Sequence, residues 1–304
     1  MRKSTRTAYI ALAIVSVFWG TTYLAARVGV RHIHGITLAG LRQGAAGLLI
    51  ILFFLIRGYK LPERIVLSKL FVIGLLMLCG SNGLLTWAMQ YIPSGLGAII
   101  AATVPIWITL FSYFLVQRTR ISIQLIIGLI LGFAGVAGIF YNYLSSLVNP
   151  DFQFGILLSF MACIFWALGS VLTAKWALGV HFLYGAGFQM FFSGVVMLVI
   201  STLFMGQHIT LSSFDSELWE SLLYLIFVGS LLSYSAYVFV LNNLPPSLAS
   251  VYAYINPIVA VLLGWLLLRE GLTWLMGLGS LVTLGGVYLV NNAVAKNKKL
   301  ASQQ

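Results

Sequence analysis

ASVYAYINPIVAVLLGWLLLRE, residues 249–270, is almost wholly apolar and long enough to cross a bilayer, yet Asn256-Pro257 stands near its middle. Proline lacks the N–H that helix bonding needs and clashes with the turn before it, so a segment serving only as an apolar rod would avoid it there. The stretch reads as a membrane helix with a bend built into it. Pro105 repeats the device about ten residues into the apolar run 95–116.

Outward from this segment the whole chain has the same character. Of 304 residues, 61% are hydrophobic and 8% charged, against roughly 25% charged in a soluble domain. Runs of about 20 apolar residues, the length that crosses ~30 Å of hydrocarbon at ~1.5 Å per residue, recur ten times. They cover 8–28, 37–57, 69–90, 95–116, 121–140, 155–177, 183–205, 218–241, 246–268 and 273–294. Continuous runs of this length predict helices, because barrel strands would be about ten residues long with alternating polarity. The opening MRKSTRTAYIALAIVSVFWG has a basic tip and an apolar run but no small-residue cleavage site, and reads as the first helix. Cys79 and Cys163 fall inside predicted helices, are too few for a disulfide framework, and read as packing residues.

A formal charge of +11 raises nucleic acid as a partner, and the placement of the basic residues answers it. With a cytoplasmic N-terminus, thirteen Lys and Arg fall on or near the inner side, while Arg27, Arg31, Arg42 and Arg269 belong to the outer half. This is the positive-inside bias, which puts both termini in the cytoplasm and leaves no basic patch for nucleic acid.

The chain also matches itself. An offset of 147 lays Phe18-Trp19 on Phe165-Trp166, Ala39-Gly40 on Ala186-Gly187 and Gly47 on Gly194. An offset of 152 lays Pro93 on Pro245 and Pro105 on Pro257, and 151 lays Gly128 on Gly279 and Gly135-Val136 on Gly286-Val287. Five spans per unit is an odd number, so the second unit enters from the opposite face. The expectation is an all-α integral membrane protein of ten transmembrane helices in two inverted five-helix repeats, 1–145 and 150–295, with 296–304 as a cytoplasmic tail. The paired prolines fall where bent helices of an inverted repeat meet a substrate; a packing kink is the plainer alternative.

The run LPPSLASVYAYINPIVAVLLGWLLLREGLTWLMGLGSLVTLGGVYL, with Ala249, Pro257, Gly264-Trp265, Glu270, Gly277, Gly279 and Gly286-Val287, resembles the end of an EamA-type domain of the drug/metabolite transporter superfamily. The first half repeats the pattern in IPSGLGAIIAATVPIWITLF and GLILGFAGV, but has Gln117-Arg118 where the second has Arg269-Glu270. The resemblance covers roughly residues 8 to 293. It implies a multi-pass inner-membrane carrier with a central cavity walled by spans 1 to 4 and 6 to 9, often an exporter of amino acids or other small metabolites. Export of drugs, lipids or nucleotide sugars is the alternative within the superfamily; a non-transporting scaffold or a lipid enzyme is the alternative outside it.

By that similarity the polar and aromatic residues at mid-depth become candidates for the cavity. Trp19 and Tyr23 lie one turn apart and share a face, and Trp166 and Ser170 match them. Ser81, Asn82 and Trp87 fall on the third span, Thr103 on the fourth and Gln189 on the seventh. Ser233, Tyr234 and Tyr237 fall on the eighth, and Tyr252, Tyr254 and Asn256 on the ninth. Arg42 is a charge within a span, and reads either as a gate or substrate-carboxylate contact or as an anchor snorkelling outward. Glu270, at the outer end of the ninth span, reads as a cap or salt-bridge partner.

No Asp or Glu is expected at mid-membrane depth, so a carboxylate proton relay has no obvious carrier. No phosphate-binding loop, metal-ligand cluster or nucleophile constellation is visible. The expectation is a non-enzymatic carrier with no cofactor or metal, whose partners are a small-molecule substrate and the bilayer. G-xxx-G spacings at Gly40/Gly44 and Gly128/Gly132 allow close helix contact, either within a monomer or between the copies of a homodimer.

Overall fold

A computed structural model describes residues 3–115, 122–141, 146–176, 178–207, 214–243, 252–269, 271 and 273–301. Among them there are helices and no strand. In chain order α1 is Lys3–Gly29 and α2 Gly35–Ile56. Helix α3, Arg64–Gly74, runs through a π-helical segment, Leu75–Gly83, into α4, Leu84–Ala88. Then come α5, Ser94–Ala101, α6, Val104–Leu115, α7, Ile123–Tyr141, and α8, Pro150–Trp176. Helix α9, Phe182–Val199, continues as a π-helical segment, Ile200–Phe204. Helix α10, Ser216–Tyr224, passes through a π-helical segment, Leu225–Tyr234, into α11, Ser235–Asn243. Last are α12, Tyr252–Leu268, and α13, Trp274–Ala301.

Among the described residues seven helical stretches are long and apolar enough to cross a membrane, and three further apolar helices, Ile123–Gly132, Ile258–Leu268 and Trp274–Gly286, are shorter. The apolar outer surface fits the same reading: Ile56, Ile130, Leu203, Leu266 and Leu281 are exposed. A soluble protein would bury such side chains; hydrocarbon solvates them.

The helices pair in a regular pattern. Helix α2 packs along α9, α7 along α13 and α1 along α12, while α8 runs against α6 and the Leu75–Gly83 segment. Glycine makes the first two pairings possible. A methyl added at Gly47 would lie 2.7 Å from the Gly187 carbonyl oxygen, and one added at Gly194 2.9 Å from that of Gly40. Likewise a methyl at Gly135 would lie 2.6 Å from the Gly279 carbonyl oxygen, and one at Gly286 2.6 Å from that of Gly128. The G-xxx-G spacings therefore serve contacts inside one chain.

The two prolines part company here. Helix α5 stops at Ala101 and α6 starts at Val104, so the chain is interrupted just before Pro105. The Ile100 carbonyl near the break accepts from the Thr103 hydroxyl (2.7 Å) and the Cys163 thiol (3.5 Å). By contrast, α12 runs unbroken through Pro257. There the Asn256 amide, oriented so that its nitrogen meets acceptors, donates to Tyr252 O (3.2 Å) and Ser16 O (2.8 Å). In each case the side-chain donor meets the carbonyl one residue before Ala101 or Ala253, the groups whose i→i−4 partner proline removes, so it braces the turn beside the bend.

Candidate functional site

A cavity of about 100 Å³ opens among α1, α2, α4, the Leu75–Gly83 segment, α5, α6, α8 and α12. Its aromatic wall is Trp19, Tyr23, Trp166 and Tyr252. Trp19 stands edge-on to Trp166 (5.6 Å between ring centres) and to Tyr252 (5.1 Å), and its indole N–H donates to Gly229 O at 3.3 Å. Tyr237 backs the wall from behind, 4.9 Å from Trp19 and 5.5 Å from Trp166. Interlocked rings of this kind hold one another in fixed orientations and leave a rigid apolar face.

The polar wall is built around Arg42, Ser81, Asn82 and Asn256. Arg42 is 4% exposed. Its Nε donates to Ser230 Oγ at 2.8 Å and its Nη1 to Asn82 Oδ1 at 3.4 Å, while Gln43 Nε2 also donates to Asn82 Oδ1 at 3.1 Å. The guanidinium lies against Gly229, where a Cβ would come 2.8 Å from Nη2. The side chain is thus turned into the bundle, and the snorkelling alternative does not describe it. A charge at this depth costs ~2.5–3.5 kcal/mol on insertion scales. Both partners come from π-helical segments, Asn82 from Leu75–Gly83 and Ser230 from Leu225–Tyr234. π turns are rare and gather at functional sites.

Of the remaining candidates, several turn away from the cavity for local reasons. Ser170 donates to Trp166 O (2.7 Å), Ser233 to Val228 O (2.6 Å) and Thr103 to Ile100 O, each satisfied by its own helix. Trp87 packs between His34 and Phe154. The Tyr234 hydroxyl donates to Gln189 Oε1 at 2.7 Å, closing that pair on itself. Glu270 lies outside the described residues, as do the side chains of Tyr254 and Pro257. Thr22, Thr86 and Met89 line the cavity without having been singled out from the sequence, and Cys163, read there as a packing residue, lines it too; only helical spacing from Trp19, Asn82 and Trp166 hinted at them.

The expected lack of metal-ligand clusters needs one correction. His32, Asp215 and Glu217 meet at the end of the bundle, with His32 Nδ1 3.1 Å from Asp215 and Nε2 2.9 Å from Glu217. A separation of 185 residues hid the group. The two carboxylates take opposite edges of the ring, which makes the arrangement an ion-pair tie between α10 and the turn after α1.

Membrane-crossing helices around a cavity with one apolar and one polar wall fit a transporter. The EamA-like transporter family matches residues 6–141 and again 153–292, and the chain belongs to it. It is 38% identical over 257 residues to the uncharacterized inner membrane transporter YedA of Escherichia coli K12, covering 84% of this chain and 80% of that protein. The uncharacterized transporter YoaV of Bacillus subtilis is 27% identical, with 95% and 99% covered. Protein PecM of Dickeya dadantii is 29% identical, with 90% and 89% covered. A solved crystal structure shares the fold at a TM-score of 0.66 and 20% identity, covering 94% of this chain and 96% of that one. The protein is a multi-pass transporter of the inner membrane.

Proposed function

We propose that the chain exports small amphiphilic metabolites, amino acids or compounds like them, by alternating access of two inverted five-helix units, residues 1–145 and 150–295, with both termini cytoplasmic. The carrying observation is the reciprocity of the glycine contacts. The offset of 147 turns the Gly47-to-Gly187 contact into the Gly194-to-Gly40 contact, and the offset of 151 turns Gly135-to-Gly279 into Gly286-to-Gly128. A two-fold relation between halves returns each contact onto its counterpart in this way, and an odd number of crossings makes the relation an inversion. The ten-crossing reading takes the three shorter apolar helices as spans. The cavity draws walls from both units, where rocking of one against the other would open it alternately to each side. Its volume of about 100 Å³ favours small cargo over nucleotide sugars.

Proteoliposomes loaded with labelled amino acids test this. Counterflow is expected, and Trp19→Ala should slow it by up to about tenfold, the worth of an aromatic contact, with the protein still folded. Absence of movement across a broad metabolite panel removes export.

A further inference from the structure

Among the described residues Arg42 meets no anionic partner. Guanidinium is always charged in proteins and offers five N–H donors in a planar fork. Here Nε and, at longer range, Nη1 are engaged, and both acceptors, Ser230 and Asn82, are neutral. Among the described residues no carboxylate bonds to it; the ion pairs found belong to His32. A buried cation is tolerated when an anion meets it, and Arg42 lines the cavity.

Resting on the carrier reading, we infer that the cavity is an organic-anion site: the Arg42 fork takes the carboxylate of the cargo, and the wall of Trp19, Trp166 and Tyr252 takes its apolar or aromatic body. Carboxylate matches the planar fork with two parallel bonds, which a spherical inorganic anion does not. Asn82 holds one edge of the guanidinium and Ser230 the Nε, so the fork is oriented before cargo arrives. The cargo supplies the counter-charge that none of the described residues gives, which makes a small monocarboxylate or zwitterion the fitting class and amines or neutral solutes poor ones.

The test uses the full chain in nanodiscs, with methanesulfonate, which carries no carboxylate, as bulk anion and two matched probe pairs, L-leucine against L-leucinamide and benzoate against benzamide. The acids are expected to raise the melting temperature and the amides not. Arg42→Gln should weaken acid binding about thirtyfold, as removing one partner of a buried charge pair does, and Arg42→Lys by less, because the charge survives without the fork. The acid-over-amide contrast is read on the unaltered protein, so it holds even if Arg42→Gln fails to fold. Equal response to acid and amide, no response to either acid, or chloride added in place of methanesulfonate stabilising as much as the acids do overturns the site. Flux through proteoliposomes separates this from the carrier reading. Amides moving as fast as acids would keep the carrier and remove the anion site; acid-selective stabilisation without flux of any probe would keep the site and remove the carrier.

Discussion

Arg42 and Gln189 hold equivalent places in the two halves, since the offset of 147 that carries Gly40 onto Gly187 carries one onto the other. The offset of 152 does the same for Asn82 and Tyr234, and in each half the equivalent residues touch. The outcomes differ. Tyr234 and Gln189 form a neutral pair with a 2.7 Å bond, and neither lines the cavity. Arg42 and Asn82 meet at 3.4 Å, leave donors uncommitted, and both line it. One scaffold contact, closed on itself, has become structure; left open, it is the place where we propose that a ligand binds.

The comparison stands on the two-fold, and the largest expected effect comes from breaking that. Gly194→Leu drives a side chain into the backbone at Gly40 and Gly44, where no rotamer escapes. A loss of at least about 3 kcal/mol is expected, seen as loss of a monodisperse peak in detergent size-exclusion chromatography. Gly47→Leu should do the same, while Gly138→Leu, with nothing within 4 Å of its added Cβ, should not. Damage at Gly194 but not at Gly47 would break the equivalence of the halves.

A smaller effect divides the two polar pairs directly. Tyr234→Phe leaves the buried Gln189 amide without its donor and is expected to cost about 1–3 kcal/mol of stability, with acid binding unchanged. Asn82→Asp keeps the shape but sets a carboxylate beside Arg42, so it should keep stability and weaken acid binding roughly tenfold by supplying the counter-charge from within. Melting curves with and without benzoate read both. If Tyr234→Phe alters binding as much as Asn82→Asp does, the closed pair is part of the site after all.

These contrasts mark where sequence reading stops. The apolar runs placed the helices, because solvation by lipid is written in composition, and the matched glycines located the tightest crossings. Trp19, Tyr23, Trp166 and Asn256 were recoverable as cavity residues from the family resemblance taken with depth, shared face and repeat. Ser170, Ser233 and Thr103 were not separable from them, since a hydroxyl at mid-depth can bond its own helix and vanish from the cavity. The π-helical segments compound this: i→i+5 bonding shifts every following side chain off the face that a 3.6-residue period assigns. Trp87, one turn beyond the Leu75–Gly83 segment, is such a case and packs against His34 and Phe154. The openness of Arg42 depends on which groups fail to reach it, which no local pattern encodes.

The smallest effect comes from another equivalent pair, His34 and His181, which stand at the starts of α2 and α9 and are related by the same offset of 147. His34 Nδ1 accepts from Ile36 N at 3.2 Å and caps its helix, whereas His181 makes no side-chain cap, stacks on Phe182 and packs at a tilt against Phe54. An accepting nitrogen must be unprotonated, and burial holds the His34 imidazole below its ordinary pKa. As pH falls through about 6.5, the unfolded chain takes up a proton that the folded state resists. Stability contributed at His34 is therefore intact above that value and declines below it, the more so because a cation opposes the positive end of the helix. The ring is partly exposed, so the decline should be slight. His34→Asn keeps an acceptor at the cap but removes the titration, and the melting temperature should then change less between pH 7.5 and 5.5 than in the unaltered protein. His181→Asn has no side-chain cap to lose and should leave the start of α9 as stable as before. Identical pH profiles for the His34→Asn and unaltered proteins would show that the capping bond at α2 is no more than a close contact, and would erase this difference between the two helix starts.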